Sequence, residues 1–383
     1  MGKPKILFIS HEASRSGAPL LLLDIIKYVI GLDKFEIDMI FVQGGLLVNE
    51  FKKLGVGQFL VANQKSKSEF LFNKIKNRWL NYADNRKIKK LLRIQEYDIV
   101  YLNSACSCNY FNKISLKAKK VILHLHELSG AIEKCGKEEL LMALKRINKI
   151  ICVSEIVSEN IHKLAINHRI SVHTKVINGF LLNRHKVPDC EKDNTKYPVR
   201  IGSIGSSTHM KGMDLFIESA NIINQQKELQ NKFIFKWIGA NLEWDYTKSN
   251  LNKIKEYKLE SVCNIIEKVR DLISFYNEID ILILFSREDS FPLTVIEAAA
   301  HGIPCICFNR NNGIYPIIQK KGGGKVVEFL NVNELSRAIT EYLENPSMIL
   351  KDGLEAKQNF AHLTPENQIS KIINVISDLL NAG

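Results

Sequence analysis

Residues 278–308 read EIDILILFSREDSFPLTVIEAAAHGIPCICF. Residues 279–285 form a run that is apolar apart from Asp280, the pattern of a strand buried on both faces. A polar turn, 286–290, follows. The Ala-rich stretch 291–301 begins at Ser-Phe-Pro and stops at His-Gly, the expected helix end signals. A second apolar run, 303–308, completes a strand-helix-strand unit of the parallel-sheet type.

The carboxylates of this unit give it chemistry. Asp289 lies in the turn before the helix, and Glu297 lies eight residues later inside it. At ~1.5 Å rise per residue, Glu297 is about two turns below the helix start. The backbone N–H groups near Phe291 to Thr294 are at the helix entry, where orphan donors suit a phosphate. A ligand with phosphate in its middle would meet an acid at each end. A sugar nucleotide has that layout, and carboxylates accept paired hydrogen bonds from vicinal hydroxyls.

The segment Ser286-Arg-Glu-Asp-Ser-Phe-Pro-Leu-Thr-Val-Ile-Glu297-Ala, followed by His301-Gly-Ile-Pro304, resembles the acid-x7-Glu signature of the retaining glycosyltransferases of family 4. The first acid is usually Glu in that family, and here it is Asp289. The resemblance implies an α/β protein of GT-B fold, two Rossmann-like domains with parallel sheets facing a central cleft. Its expected boundaries are 1–185 for an N-terminal acceptor domain and 186–198 for a linker. A donor domain would span 199–364, and a helix at 365–383 would pack back on the first domain.

Composition agrees with a two-domain globular chain. The 383 residues are 45% hydrophobic and 25% charged, ordinary values for a chain that buries proper cores. MGKPKILFIS turns polar at Ser10-His11-Glu12, too soon for a signal peptide. No apolar run approaches the ~20 residues of a spanning helix. The position-six Ser or Thr of a myristoylation site is Ile6. Eight cysteines contain no C-x-x-C. They read as thiols of a reducing cytosol, with Cys106-x-Cys108 a weak metal hint. The expected location is therefore cytoplasmic, at the inner face of a membrane if the next feature acts there.

That feature is part of the net charge of +12. Ten Lys or Arg fall between Lys65 and Arg93, interleaved with Phe70, Leu71, Phe72, Trp79, Leu80 and Tyr82. The mixture suits a basic amphipathic region on anionic lipid. It equally suits a solvated helix face with its aromatics turned inward. Nucleic acid is not the expected partner, because zinc, RRM and KH signatures are missing.

Along the rest of the chain, KILFIS at 5–10 reads as a first strand. HEASRSGAP at 11–19 is a small-residue loop, and 20–30 a helix. Gly17 and Ala18 take the place of the family's glycine-containing loop, which borders donor and acceptor. DIVYLN at 98–103 and VILHL at 121–125 are further strands. His126 resembles the family histidine near the donor sugar, with Glu127 a weaker candidate. Ser154-Glu155 resembles the family's Ser-Glu segment, with Ser154 as a helix cap. Asn178-Gly179 resembles its turn at the end of the first domain.

In the second half, 199–204 is a strand and Gly205-Ser206-Ser-Thr-His-Met-Lys211-Gly212-Met-Asp214 a phosphate-type loop. It resembles the family's Lys-Gly-x-Asp segment, which implies Lys211 as the cation for the leaving diphosphate. The arginine the family carries earlier in this loop is absent, and Arg287 or His209 are its possible substitutes. Val269 lies in the loop expected beside the nucleobase. The family's Gly-Gly-x-x-Glu is Asn312-Gly313-Ile314-Tyr315-Pro316 here, without the acid.

The resemblance implies transfer of a sugar from a nucleotide-diphosphate sugar to a hydroxyl acceptor, with retention. The acceptor would be a saccharide or lipid-linked saccharide of a surface polymer. The donor is a substrate, no cofactor is expected, and no Asp-x-Asp suggests a metal. Expected catalytic residues are His126, Lys211 and Asp289. Expected donor contacts are Gly17, Ala18, Gly205, Ser206, Lys211, Val269, Asp289, Ser290, Phe291, Pro292, Leu293, Thr294 and Glu297. Two other readings stay open: a sugar-nucleotide epimerase, and a non-catalytic partner subunit of the same fold.

Overall fold

A computed structural model describes residues 2–57, 59–63, 86, 88, 90, 92–182, 197–269 and 272–382. The chain forms two compact units. The first comprises Met1–Leu182 and Pro365–Gly383, and the second Asn183–Thr364. The expected linker at 186–198 lies almost wholly outside the described residues, as does most of the basic stretch at 65–93.

In the first unit, strands β1 (Lys5–Ser10), β2 (Glu36–Gln43), β3 (Phe59–Asn63), β4 (Glu96–Asn103), β5 (Lys117–Leu125), β6 (Lys149–Cys152) and β7 (Thr174–Val176) form one sheet. Its order is β3-β2-β1-β4-β5-β6-β7, and every pairing is parallel. Ile6, Leu7, Phe8 and Ile9 are fully buried, which explains why KILFIS is apolar throughout rather than alternating. The Phe8 and Tyr101 rings lie 4.9 Å apart across the β1–β4 pair. Helix Pro365–Asn381 belongs to this unit and buries Ile369, Ile372, Val375 and Ile376.

In the second unit, β8 (Val199–Ile204), β9 (Phe233–Ala240), β10 (Cys263–Glu267), β11 (Ile281–Leu284), β12 (Cys305–Phe308) and β13 (Gly324–Val327) follow the order β10-β9-β8-β11-β12-β13. They too are all parallel. Phe216 packs edge-on against Phe235, Trp237 and Phe285 at 5.2, 5.5 and 5.8 Å. These rings fill one side of the sheet under the loops that matter below.

Each sheet reverses its strand order once, between β1 and β4 in the first and between β8 and β11 in the second. In open parallel sheets, ligands bind beyond the carboxyl ends of the strands at such a point.

Several element limits differ from the sequence reading. The strand expected at 279–285 is Ile281–Leu284. Asp280 is 2% exposed and turns aside to take the Arg200 guanidinium at 2.7 and 2.9 Å. The helix expected at 291–301 is Leu293–Ala300, because Pro292 is extended (ψ 108°) and Phe291 is buried before it. The first helix is Gly17–Gly31 rather than 20–30. Gly17 and Ala18 therefore belong to its first turn and not to the loop. Ser154 stands at the start of helix Glu155–Asn167, but its side chain makes no capping bond there.

Candidate functional site

The second unit builds its site from the loop after β8. Trp237 donates its indole N–H to the Gly205 carbonyl at 2.9 Å, tying the loop to the core. Ser207 is fully buried, lies 2.6 Å from the Thr247 hydroxyl and accepts the Asn241 N–H. Ser206 beside it is exposed. A short turn, His209–Lys211, leads to Gly212 in left-handed conformation at φ 79°. A Cβ on Gly212 would collide with the Phe285 carbonyl oxygen. Only glycine satisfies both demands, so the Lys-Gly pair is fixed by backbone geometry.

Lys211 reaches from this loop to the loop after β11. Its ammonium donates to Asp289 Oδ2 at 2.6 Å, and the two side chains are 32% and 15% exposed. The Asp289 turn is itself pinned. Asp289 N–H donates to the Asn311 carbonyl and Gly313 N–H to the Asp289 carbonyl. Asn312 closes the turn by accepting the Ile314 and Tyr315 N–H groups at 3.2 and 2.8 Å. Asn312 thus organises the start of the helix Tyr315–Lys321, in the segment where the resemblance implies an acid.

Arg287 is committed elsewhere. Its guanidinium grips both oxygens of Asp214 at 2.9 and 2.6 Å and donates to the His209 carbonyl. Burial works to raise the Asp214 pKa, but the bonds from Arg287 and Tyr246 outweigh it and the net shift is downward. Arg287 therefore braces the underside of the phosphate-type loop. Lys211 is the loop cation that meets Asp289.

Pro292 precedes the helix Leu293–Ala300, whose first turn presents backbone N–H groups. Glu297 is 3% exposed and accepts the Tyr276 hydroxyl at 2.7 Å. Tyr276 stacks on His301 at 5.1 Å, and His301 Nδ1 donates to the Glu297 carbonyl. Val269 is exposed past the end of β10. Its neighbours Arg270 and Asp271 lie outside the described residues.

The first unit gathers polar side chains at the carboxyl ends of β1, β4 and β5. Asn103, fully buried, donates its amide to the Ala18 carbonyl at 3.2 Å. That bond orients the amide, so Asn103 Oδ1 accepts from His126 Nε2 at 3.1 Å. One amide thus joins the helix turn of Gly17 and Ala18 to His126. Glu127 accepts the N–H groups of His126 and Ala105, each at 3.0 Å. Burial, with help from His124 and His11, presses the His126 pKa well below its ordinary value. Burial alone lowers His124 to about 3. Both imidazoles are neutral, with rings 4.1 Å apart.

His11 behaves in the opposite sense. Burial pulls its pKa down, but the bond to Glu12 and the charges of Glu127 and Glu12 outweigh it, and the net shift is upward. The Glu12 carboxyl is held down to about 2, first by His11 and, against burial, by Ser14 and Ser16. The sequence reading missed Asn103, His11 and Glu12. A signal was present: each is a polar residue at or just past the end of an apolar strand, where such folds place ligand contacts.

It also took the cysteines as thiols. The structure joins Cys106 to Cys135 in a disulfide across 29 residues of sequence. Spacing does not disclose such a pair, because the two residues meet only when β4 and β5 lie side by side. Cys108, Cys152, Cys263, Cys305 and Cys307 are free and buried.

Residues 191–374 match the family described as glycosyl transferases group 1. This stretch is a glycosyl transferases group 1 domain. The group 1 domain takes in the phosphate-type loop, the Lys211–Asp289 pair, the Leu293–Ala300 helix and Glu297. The chain is 27% identical over 149 residues to an uncharacterised glycosyltransferase of Haemophilus influenzae, covering 39% of this chain and 40% of that one. It is 31% identical over 132 residues to the amylovoran biosynthesis glycosyltransferase AmsD of Erwinia amylovora, covering 34% and 36%. The chain thus matches well under half the length of either relative. The crystal structure of Anabaena HepE in complex with UDP is similar across 98% of this chain and 100% of that one. The TM-score there is 0.75 at 17% identity. At that identity the likeness speaks for the fold, which is GT-B: two parallel-sheet Rossmann-like units.

Proposed function

We propose that the protein is a retaining glycosyltransferase. It would move a sugar from a nucleotide-diphosphate sugar to a hydroxyl of a saccharide or lipid-linked saccharide acceptor. The observation that carries the proposal is the Lys211–Asp289 pair at 2.6 Å, set beside a glycine-bearing loop and a helix N-terminus at a strand-order reversal. The group 1 domain match and the polysaccharide-biosynthesis relative support the same reading.

The chemistry follows from charge. Departure of a diphosphate leaves negative charge on phosphate and positive character on the sugar. Lys211 would leave Asp289 for the diphosphate, and the first-turn N–H groups near Leu293 would add fixed dipoles. Asp289, so released, would accept donor-sugar hydroxyls. Glu297, which holds the Tyr276 hydroxyl, would accept the ribose hydroxyls. In the first unit, His126 would offer a sugar hydroxyl a neutral hydrogen-bonding group. A neutral ring adds no cationic repulsion beside a sugar that gains positive character.

A second reading, a non-catalytic partner subunit, is favoured by one observation. Arg287 is locked on Asp214, so Lys211 serves the diphosphate without it. The same reading carries two further proposals. No divalent cation is needed for the donor, and the basic stretch 65–93 contacts anionic lipid on the cytoplasmic side. Among the described residues no helix is long and apolar enough to cross a membrane.

A panel of nucleotide sugars decides between these readings, with wild type beside Glu297→Ala and Lys211→Ala. Turnover of one donor, lost in both variants and unchanged in excess chelator, supports the metal-independent transferase. Product of inverted configuration or strict metal dependence overturns that description. Tight donor binding by calorimetry, without turnover across a panel of acceptors, favours the partner subunit.

A further inference from the structure

A second cluster lies in the first unit, apart from the donor residues. Cys106 sits in the turn after β4, Glu127 follows β5, and Cys135 ends the helix Ser129–Cys135. The two sulfurs and one carboxylate oxygen all lie within 4.8 Å of one another. None of the three is fully buried, so a reductant and a small cation have access.

We propose that Cys106, Cys135 and Glu127 form a redox-gated site for a thiophilic divalent cation of the zinc type. The reduced chain binds the ion and the disulfide form does not. In the disulfide form the two sulfurs are neutral and bonded to each other, leaving the carboxylate as the one charged member. A dithiol reductant changes this. It gives two electrons and two protons to the sulfurs, which become two thiols, and is itself oxidised to a disulfide. A divalent cation then displaces the two thiol protons to solvent and takes two thiolates and one carboxylate oxygen.

Electrostatics makes the second step favourable. Two thiolates beside a carboxylate repel one another, so without an ion the sulfurs keep their protons. A divalent cation turns that repulsion into attraction and pulls the protons off. The donor set selects the metal. Two sulfurs disfavour magnesium and calcium, which take oxygen ligands. Two sulfurs, one carboxylate oxygen and a water complete the four-coordinate shell that zinc prefers. The carboxylate is already oriented, because its Oε2 accepts the N–H groups of Ala105 and His126 at 3.0 Å. Both donors adjoin the cluster, one being the residue before Cys106 and the other the residue before Glu127. The ion would therefore be held by the same segment that carries His126.

The test uses the full chain in a Cys190→Ser background, so that the other free cysteines are the five buried ones. One aliquot is reduced with a phosphine that does not bind metal, freed of reductant and titrated with zinc against a chromophoric chelator. A second aliquot, with the disulfide intact, is titrated alongside. Cobalt(II) replaces zinc in a parallel series, because sulfur ligation then gives a thiolate-to-metal charge-transfer band. The expected result is one zinc per reduced chain, none for the disulfide form, and the cobalt band in the reduced form alone. Cys106→Ser and Cys135→Ser should each lose the band and weaken zinc by more than the ~100-fold seen when an outer partner is lost. Glu127→Gln should weaken zinc and keep the band. Equal binding by both redox forms, no binding by the reduced form, or a band that survives Cys106→Ser overturns the proposal. Should a serine variant fail to fold, the redox pair of aliquots still decides, since it needs no substitution at the cluster.

Discussion

At the scale of single residues, the site is legible where chemistry constrains residue type and obscure where geometry does. Glu297 is buried and holds the Tyr276 hydroxyl. Hydrogen bonds to a charged group are worth ~1.5–3 kcal/mol. Glu297→Ala should therefore weaken donor binding by ~10- to 100-fold in calorimetry, whereas Tyr276→Phe should lower the melting temperature with a smaller effect on the donor. Equal donor binding by Glu297→Ala and wild type would remove Glu297 from the site. Gly212→Ala should destabilise the second unit by at least ~1–3 kcal/mol, as a left-handed φ and a carbonyl clash both oppose a Cβ. A denaturant midpoint measures it. The sequence displays Lys211-Gly212, but the reason for the glycine is a torsion angle that composition does not carry. A third prediction concerns His124, whose folded pKa of about 3 lies below its ordinary 6.5. The unfolded chain takes up the proton first as the pH falls, so this stability is whole above 6.5 and drains away towards 3. The slope is about 1.4 kcal/mol per pH unit for one such group. His126 shifts the same way. His11, shifted upward, acts in reverse: its contribution is whole below 6.5 and is lost as the pH rises through its folded value. Urea midpoints between pH 6.5 and 5 should fall for wild type and fall less for His124→Gln, whose amide oxygen can replace His124 Nδ1 as partner of the Tyr101 hydroxyl at 2.7 Å. Parallel curves would contradict the neutral, buried imidazole.

At the scale of elements, the strong apolar runs were legible because strands buried on both faces need no partner to reveal them. Element ends were less so. Asp280 reads as part of an apolar run, yet its ion pair with Arg200 shortens β11. Pro292 reads as an ordinary residue of a first helical turn, yet its extended backbone delays the helix. Asn312 shows the same limit from another side. Its amide caps a helix and closes the Asp289 turn, a role that depends on three segments meeting. The terminal helix Pro365–Asn381 offers an element-scale prediction. It buries Ile369, Ile372, Val375 and Ile376 in the first unit, and full burial of each such side chain is worth ~1.5–3 kcal/mol. Whole domains are stable by only about 5–15 kcal/mol. A chain ending at residue 364 should therefore lose cooperative unfolding of its first unit, read by hydrogen exchange on β1 and β4. Wild-type protection of those strands in the truncated chain would mean that the helix is dispensable.

At the scale of the whole molecule, sequence favours the second unit over the first. The proposed donor residues of the second unit cluster in two loops and one helix, and residue types that suit phosphate and diol chemistry are visible in a short stretch. The first unit draws His11, Asn103, His126 and Glu127 from three strand ends, and Cys106 finds Cys135 only through the β4–β5 pairing. Those relations arise from strand order, which no local pattern encodes. The same asymmetry predicts how the chain divides. Gly205, Ser206, Lys211, Asp289, the helix entry at Leu293 and Glu297 all lie in Asn183–Thr364, on a sheet with its own aromatic core around Phe216 and Trp237. A fragment of residues 183–364 should fold cooperatively and bind a nucleoside diphosphate about as well as the full chain, because in the proposed function Lys211 and the helix N-terminus would meet the phosphates. It should fail to transfer sugar, because His126 and the other polar groups of the first unit are gone. Calorimetry with the free diphosphate measures the first part, and product analysis with the full donor the second. A fragment that folds yet binds no diphosphate would show that the first unit supplies part of the phosphate site.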